Sequence, residues 1–106
     1  MIDFKDFQKL EIKIAKVLEA ERIKGSDKLI KLKIDLGQEN RQIIAGIGKF
    51  YTPEEMIGKE IVVLTNLEPR VLMGNESRGM LLAANKDGEP ILLMPDKEVP
   101  AGTKIT

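Results

Sequence analysis

Alternating hydrophobic and polar positions dominate the chain and predict strands. The clearest run is 29–36, where four aliphatic residues alternate with Lys31, Lys33 and Asp35. Successive side chains of a strand point to opposite faces, so the aliphatic residues should face a core and the two lysines should share the outer face.

Four further segments have strand character, rich in Ile, Val and Leu and bounded by turn residues. The alternation of the first breaks after Ala15, which predicts a bulge or bend there. The loops are expected at 37–40 and 67–78. With 29–36 as the second strand, the first is expected from Glu11, the third at 41–47, the fourth at 60–66 and the fifth at 79–84.

Two short helices are predicted from their starts. Asp3 can cap a helix that runs to about Lys9, and the apolar face of that helix should simply pack against the body. Thr52 can cap a second, because proline follows at the first helical position and glutamate at the third. This helix should end near Gly58.

The order of three strands, a helix and two strands is typical of an all-β, five-stranded Greek-key barrel of the OB-fold type. We expect residues 1–106 to form a single domain of this kind. Beyond Ala84 the chain exceeds a minimal barrel, with a turn at 85–88 and a short strand at 90–94. The apolar residues of this tail could cap the barrel bottom or join a subunit interface; they are Leu92, Leu93, Met94 and Val99.

The amino-acid composition limits the classes of function that the protein can have. Histidine and cysteine are both absent, which removes the commonest general base and the commonest metal ligands. Since no clustered catalytic groups remain, we expect a non-catalytic protein without cofactor or metal. No apolar run approaches the roughly 20 residues that cross a bilayer, so a soluble cytoplasmic protein is expected. With 17 basic and 17 acidic side chains, any nucleic-acid surface must arise from local segregation of charge.

Three segments offer such chemistry. The turn at 25–29 leads from Lys28 into Lys31 and Lys33, although a solvated lysine-rich surface would look the same. Asn66 and Arg70 leave the fourth strand together, as an amide that can bond base edges and a guanidinium that can fork onto phosphate. The segment 77–80 sets a hydroxyl, a cation, a glycine and a thioether at one loop end.

Together these segments resemble one family. They are similar to the tRNA-binding OB domain found at the C-terminus of many bacterial methionyl-tRNA synthetases and in free-standing tRNA-binding proteins. The resemblance runs from about Phe4 to the end. It depends on Gly25-Ser26-Asp27-Lys28-Leu29, Arg41-Gln42-Ile43, Gly46 with Lys49-Phe50-Tyr51-Thr52-Pro53-Glu54-Glu55, Asn66-Leu67-Glu68-Pro69-Arg70, and Met73-Gly74 with Ser77-Arg78-Gly79-Met80-Leu81-Leu82-Ala83.

The resemblance implies a homodimer that recognises the shape of tRNA, as a beta subunit or trans-acting C-terminal domain beside a catalytic methionyl-tRNA synthetase subunit. The first strand departs from the family pattern of arginine, an apolar residue and glycine, because this chain has Lys13, Ile14 and Ala15. The candidate RNA-binding residues are Lys13, Lys28, Lys31, Lys33, Arg41, Asn66, Arg70, Ser77, Arg78 and Met80.

Two other classes of protein are alternatives to a tRNA-binding domain. An export-associated, chaperone-like OB-fold homodimer would bind unfolded peptide in an apolar groove, and the intact segment 77–80 argues against it. A carboxylate hydrolase would need a base or metal partner for its Asp and Glu residues, and the sequence offers none.

Overall fold

The computed structural model describes residues 1–106. Strands dominate it, in line with the alternating pattern. In chain order the elements are α1 (Phe4–Gln8), β1 (Ile12–Arg22), β2 (Ile30–Asp35), β3 (Asn40–Ala45), α2 (Pro53–Met56), β4 (Glu60–Leu64), β5 (Arg70–Leu72), β6 (Asn75–Ser77), β7 (Met80–Leu81), β8 (Ala83–Lys86) and β9 (Glu89–Leu92).

Five strands form one antiparallel sheet in the order β3-β2-β1-β4-β7, with α2 between β3 and β4 in sequence. The sheet curls so that the segment just before β7 reaches β3, where the Arg78 amide donates to the Gln42 carbonyl at 3.0 Å. The predicted OB fold is confirmed.

The core lies inside this curled sheet. Ile30, Leu32 and Ile34 of β2 are fully buried, whereas Lys31 and Lys33 between them point outward. Met56 of α2 is fully buried and packs into the same cluster. The alternation predicted for 29–36 is therefore confirmed.

Both predicted helix starts are confirmed. The Asp3 carboxylate accepts from the Asp6 amide at 2.9 Å, and the Thr52 hydroxyl oxygen accepts from the Glu55 amide at 3.3 Å. The expected packing of α1 is wrong, because none of its residues is buried and Phe4 is 71% exposed.

The bulge in β1 lies further along than predicted. The register shifts between Val17 and Glu19, while Ala15 is fully buried and pairs regularly with Ile61. The shift falls just after Lys16, where β1 passes from pairing with β4 to pairing with β2. A bulge at this point lets one long strand bend around the barrel and serve both partners.

The prediction of a loop at 67–78 is wrong over most of that segment. It contains the hairpin of β5 and β6, whose turn is Met73-Gly74 with φ of 48° and 79°. Two consecutive positive φ values are typical of the tight hairpin turn that Asn-Gly usually makes. Methionine in the first turn position conceals this signal in the sequence.

The predicted fifth strand, 79–84, is divided. Met80 and Leu81 form β7 against β4, and the chain then leaves the sheet as β8, which pairs with β9. Of the turn expected at 85–88, only Asp87 and Gly88 lie between these two strands, both with positive φ, whereas 85–86 belong to β8. The extra strand therefore belongs to a separate hairpin.

The last residues return to the barrel. Gly102 donates to the Ile14 carbonyl at 2.7 Å, and Ile105 donates to the Ile12 carbonyl at 2.8 Å. The Val99 amide donates a hydrogen bond to the Glu60 carboxylate at 3.1 Å. This part of the tail caps the barrel, which is one of the two roles expected for the tail. Leu93 and Met94, in contrast, remain exposed. No helix has the length and apolar character needed to span a membrane.

Candidate nucleic-acid interface

An open groove of about 520 Å³ runs across the outer faces of β1, β2 and β3. Because side chains two positions apart share one face of a strand, each of the three strands contributes residues i and i+2 to it. We call it the strand groove. Its lining residues are Glu19, Ala20 and Glu21 of β1, Lys31 and Lys33 of β2, Asn40, Arg41 and Gln42 of β3, and Arg78.

Both predicted lysines of the strand groove are ion-paired across the strands. Lys31 Nζ lies 2.8 Å from Glu21 Oε1, and Lys33 Nζ lies 3.2 Å from Glu19 Oε2. The register past the β1 bulge sets each glutamate directly opposite its lysine. The lysine side chains are still 32% and 51% exposed, so an incoming phosphate can reach them.

The Arg41 side chain stabilises the fold through hydrogen bonds within the protein. Its guanidinium forks onto Glu39, with Nη2 at 2.8 Å from Oε1, and Nη1 donates to the backbone carbonyls of Thr65 and Arg78. The hydrogen bonds from Arg41 hold the pKa of the Glu39 carboxyl below its ordinary value, with further help from the charges of Arg41, Arg78 and Lys13. Arg41 therefore ties β3 to the end of β4 and to the segment before β7, with only 18% of its side chain exposed.

Arg78 is the cation of the strand groove that forms no ion pair with a carboxylate. Its backbone amide and carbonyl are held by Gln42 and Arg41, but its exposed guanidinium makes no hydrogen bond and no ion pair. A fixed backbone with a free guanidinium suits phosphate recognition, because the fork can align two hydrogen bonds on one oxyanion.

Ser77 and Gly79 shape the loop end from inside. The Ser77 hydroxyl accepts from the Ile44 amide at 2.9 Å and donates to the Gly79 carbonyl at 3.1 Å, and the residue is only 5% exposed. Gly79 has φ of 142°, and a Cβ there would lie 3.1 Å from the Leu64 carbonyl oxygen. Both residues fix the direction in which Arg78 projects.

Asn66 is also used within the fold. Its side-chain oxygen accepts from the Glu11 amide at 2.8 Å, and its side-chain nitrogen donates to the Lys9 carbonyl at 2.7 Å. The amide thereby joins the end of α1 to the end of β4. Its polar atoms are thus already bonded in the free protein.

The remaining predicted residues lie apart from the strand groove. Arg70 and Met80 line a cleft of about 330 Å³ between the β5–β6 hairpin and the barrel, which we call the apolar cleft. Lys13 lies beside the turn at 37–39, and Lys28 is exposed and extends along Gly46. The structure thus brings together four of the ten predicted residues, namely Lys31, Lys33, Arg41 and Arg78.

Sequence reasoning missed the acidic side of the groove. Glu19 and Glu21 stand two residues apart on β1, which signals that they share a face. Their partners depend on a register that the bulge sets, and sequence patterning does not locate that bulge. Gln42 also lines the groove, and its side-chain nitrogen donates to the Glu76 carbonyl at 2.9 Å.

The fold and the groove together define an OB-fold module with a polar, cationic groove on its strand face. A sequence profile described as "Putative tRNA binding domain" matches residues 12–104. The chain belongs to this family.

Similar proteins include a ligase, a MetRS-related protein and a chaperone. Methionine–tRNA ligase of Archaeoglobus fulgidus is 60% identical over 98% of this chain, which spans 16% of that relative's length. The crystal structure of a MetRS-related protein from Pyrococcus horikoshii superimposes with a TM-score of 0.95 at 40% identity, covering 100% of this chain and 98% of the other. The chaperone CsaA of Bacillus anthracis gives a TM-score of 0.91 at 37% identity, covering 100% and 99%.

Proposed function

We propose that the protein is a non-catalytic module that binds tRNA through the strand groove. The observation that carries the proposal is the convergence of Lys31, Lys33 and Arg78 on one open groove of a member of the tRNA-binding family. Ammonium and guanidinium groups on a strand face bind the phosphate backbone and give affinity that falls with salt.

Recognition would follow the shape of the RNA more than its sequence. No aromatic side chain lines the strand groove, so it offers no platform on which unpaired bases could stack. The nitrogen of Gln42 is already bonded to Glu76, and Asn40 is the other amide of the groove. Phosphates held at a fixed spacing by a folded RNA are the ligands that such a groove distinguishes.

The partner that would use this module is a methionyl-tRNA synthetase. The ligase relative supports this, because the matching part of that much longer protein covers nearly all of this chain. The protein would act as a beta subunit or a trans-acting C-terminal domain, adding tRNA affinity in the cytoplasm while the catalytic subunit performs the chemistry.

We also infer a two-fold dimer, formed through the β8–β9 hairpin. Tyr51 Oη donates to the Pro90 carbonyl at 3.1 Å and accepts from the Leu92 amide at 3.3 Å, which fixes the hairpin on the barrel. Ile91 of β9 then remains exposed on a hairpin whose outer edges are unpaired, and Leu93 and Met94, which follow the hairpin directly, are exposed as well. Such a surface is stabilised when a second copy covers it.

Light scattering at micromolar concentration tests the dimer. Ile91→Glu should halve the mass, whereas Ile57→Glu, with the same charge change at another exposed isoleucine, should leave the mass of two chains. A wild-type mass of one chain, or equal behaviour of the two variants, would exclude this interface.

Filter binding tests the tRNA proposal. Wild type should bind folded tRNA more tightly than a random single strand of equal length, and both affinities should fall as salt rises. Arg78→Ala should weaken tRNA binding by about tenfold, since a charged contact on phosphate is lost. Lys5→Ala, which removes an exposed cation from α1, away from both the strand groove and the β8–β9 hairpin, should change binding by less than about twofold.

A peptide-binding function is the second candidate, because the likeness to CsaA also covers the whole chain. The apolar cleft supports it, with Ile44, Leu72 and Met80 among its lining residues. The bonds of Ser77 give the segment 77–80 a structural reason, so that segment does not separate the two functions. If wild type preferred unfolded peptide and bound tRNA no better than a random strand, this candidate would replace the first.

A further inference from the structure

The charge balance of the strand groove is unusual for a surface that binds a polyanion. Three of its four cations are held by carboxylates, as Lys31 with Glu21, Lys33 with Glu19, and Arg41 with Glu39. The carboxylates of the first two pairs lie within the groove itself, whereas Glu39 does not line it. RNA phosphates would therefore meet two negative charges on the same floor as the lysines.

We propose that Glu19 and Glu21 determine specificity by opposing polyanions whose phosphates do not fall on both lysines at once. The inference depends on the proposed tRNA binding and deepens it. Discrimination of this kind depends on unfavourable contacts with wrong ligands as much as on favourable contacts with the right one.

The geometry explains why the opposition is selective. An exposed ion pair is weak, so a phosphate that arrives at the correct place can take over the ammonium group of Lys31 or Lys33. The released carboxylate swings toward solvent, since the side chains of Glu19 and Glu21 are 71% and 66% exposed. A ligand that satisfies both lysines replaces both ion pairs together.

A flexible single strand behaves differently. It samples many registers along the groove, and most registers leave at least one lysine with its glutamate while the backbone passes close to that carboxylate. Like charges at short range raise the free energy of those poses. A folded tRNA has few registers and fixed phosphates, so it loses less affinity to the glutamates.

The test is the double substitution Glu19→Gln/Glu21→Gln, which keeps side-chain size and removes both charges. Its matched control is Glu54→Gln/Glu98→Gln, with the same change in net charge at exposed glutamates outside both the strand groove and the β8–β9 hairpin. Filter binding would measure folded tRNA and a random single strand of equal length, and thermal melts would verify that both variants fold.

The groove variant should bind the random strand about tenfold and tRNA about threefold more tightly than wild type, with a steeper salt dependence for both. The control should gain less, and equally for both RNAs. The inference is overturned if the groove variant matches the control, gains equally for both RNAs, or loses affinity for tRNA. A wild type without preference for tRNA would instead overturn the proposed function.

Discussion

The floor of the strand groove and the loop end at 77–80 use polar side chains in opposite ways. On the floor, Lys31 and Lys33 are exposed, held only by weak ion pairs and free to exchange partners. At the loop end, the Ser77 hydroxyl is buried and bonded on both sides. The candidate RNA-binding residues thus divide into those that can meet a ligand and those that hold the surface in shape.

Gly79→Ala should show the largest effect at the loop end. A Cβ at this position would crowd the Leu64 carbonyl oxygen and the side chains of Val63 and Ile43, at 3.1 to 3.3 Å, with φ of 142°. We expect a loss of about 3 kcal/mol in the free energy of unfolding, because backbone strain and overpacking combine. Urea denaturation would measure it.

Gly74→Ala is the control for that variant. Its φ of 79° is also positive, but beyond its two chain neighbours no residue comes within 4 Å of the added carbon. It should therefore lose only about 1 kcal/mol, from backbone conformation alone. Equal losses for the two variants would show that the close contacts around Gly79 are unimportant.

Ser77→Ala should rank next. The substitution leaves the buried Ile44 amide without its acceptor, which destabilises the fold by about 1–3 kcal/mol. tRNA binding by the folded fraction should change much less, because the hydroxyl faces Ile44 and Gly79. Calorimetric melting together with filter binding below the transition would separate the two effects. Weakened binding at unchanged stability would mean that the hydroxyl contacts RNA directly.

The comparison also explains which features the sequence could predict. Alternation along β2 placed Lys31 and Lys33 on an outer face, since that pattern is local and periodic. The structural roles of Ser77 and Asn66 escaped prediction because their partners lie 33 and 55 residues away in sequence. Glu19 and Glu21 escaped because their pairing depends on the β1 bulge. That the ten candidate residues contact RNA stays a prediction.

The smallest effects are expected on the groove floor, where Lys31→Ala or Lys33→Ala should leave stability nearly unchanged, since exposed ion pairs contribute little. Each variant should weaken all tRNAs about equally and lower the salt slope by roughly one, because one phosphate contact is lost. Lys31→Ala also leaves Glu21 without its partner, so part of its effect should come from repulsion between that carboxylate and RNA.

A double-mutant cycle separates the lost contact from the repulsion. Lys31→Ala should weaken tRNA binding by about fivefold in wild type, and Glu21→Gln in the same chain should restore about half of that loss in free energy. Lys33→Ala combined with Glu21→Gln is the mismatched control, since Lys33 pairs with Glu19 and the two changes should act independently. If Glu21→Gln rescued both lysine variants equally, its charge would act on the groove as a whole and not through its ion pair with Lys31.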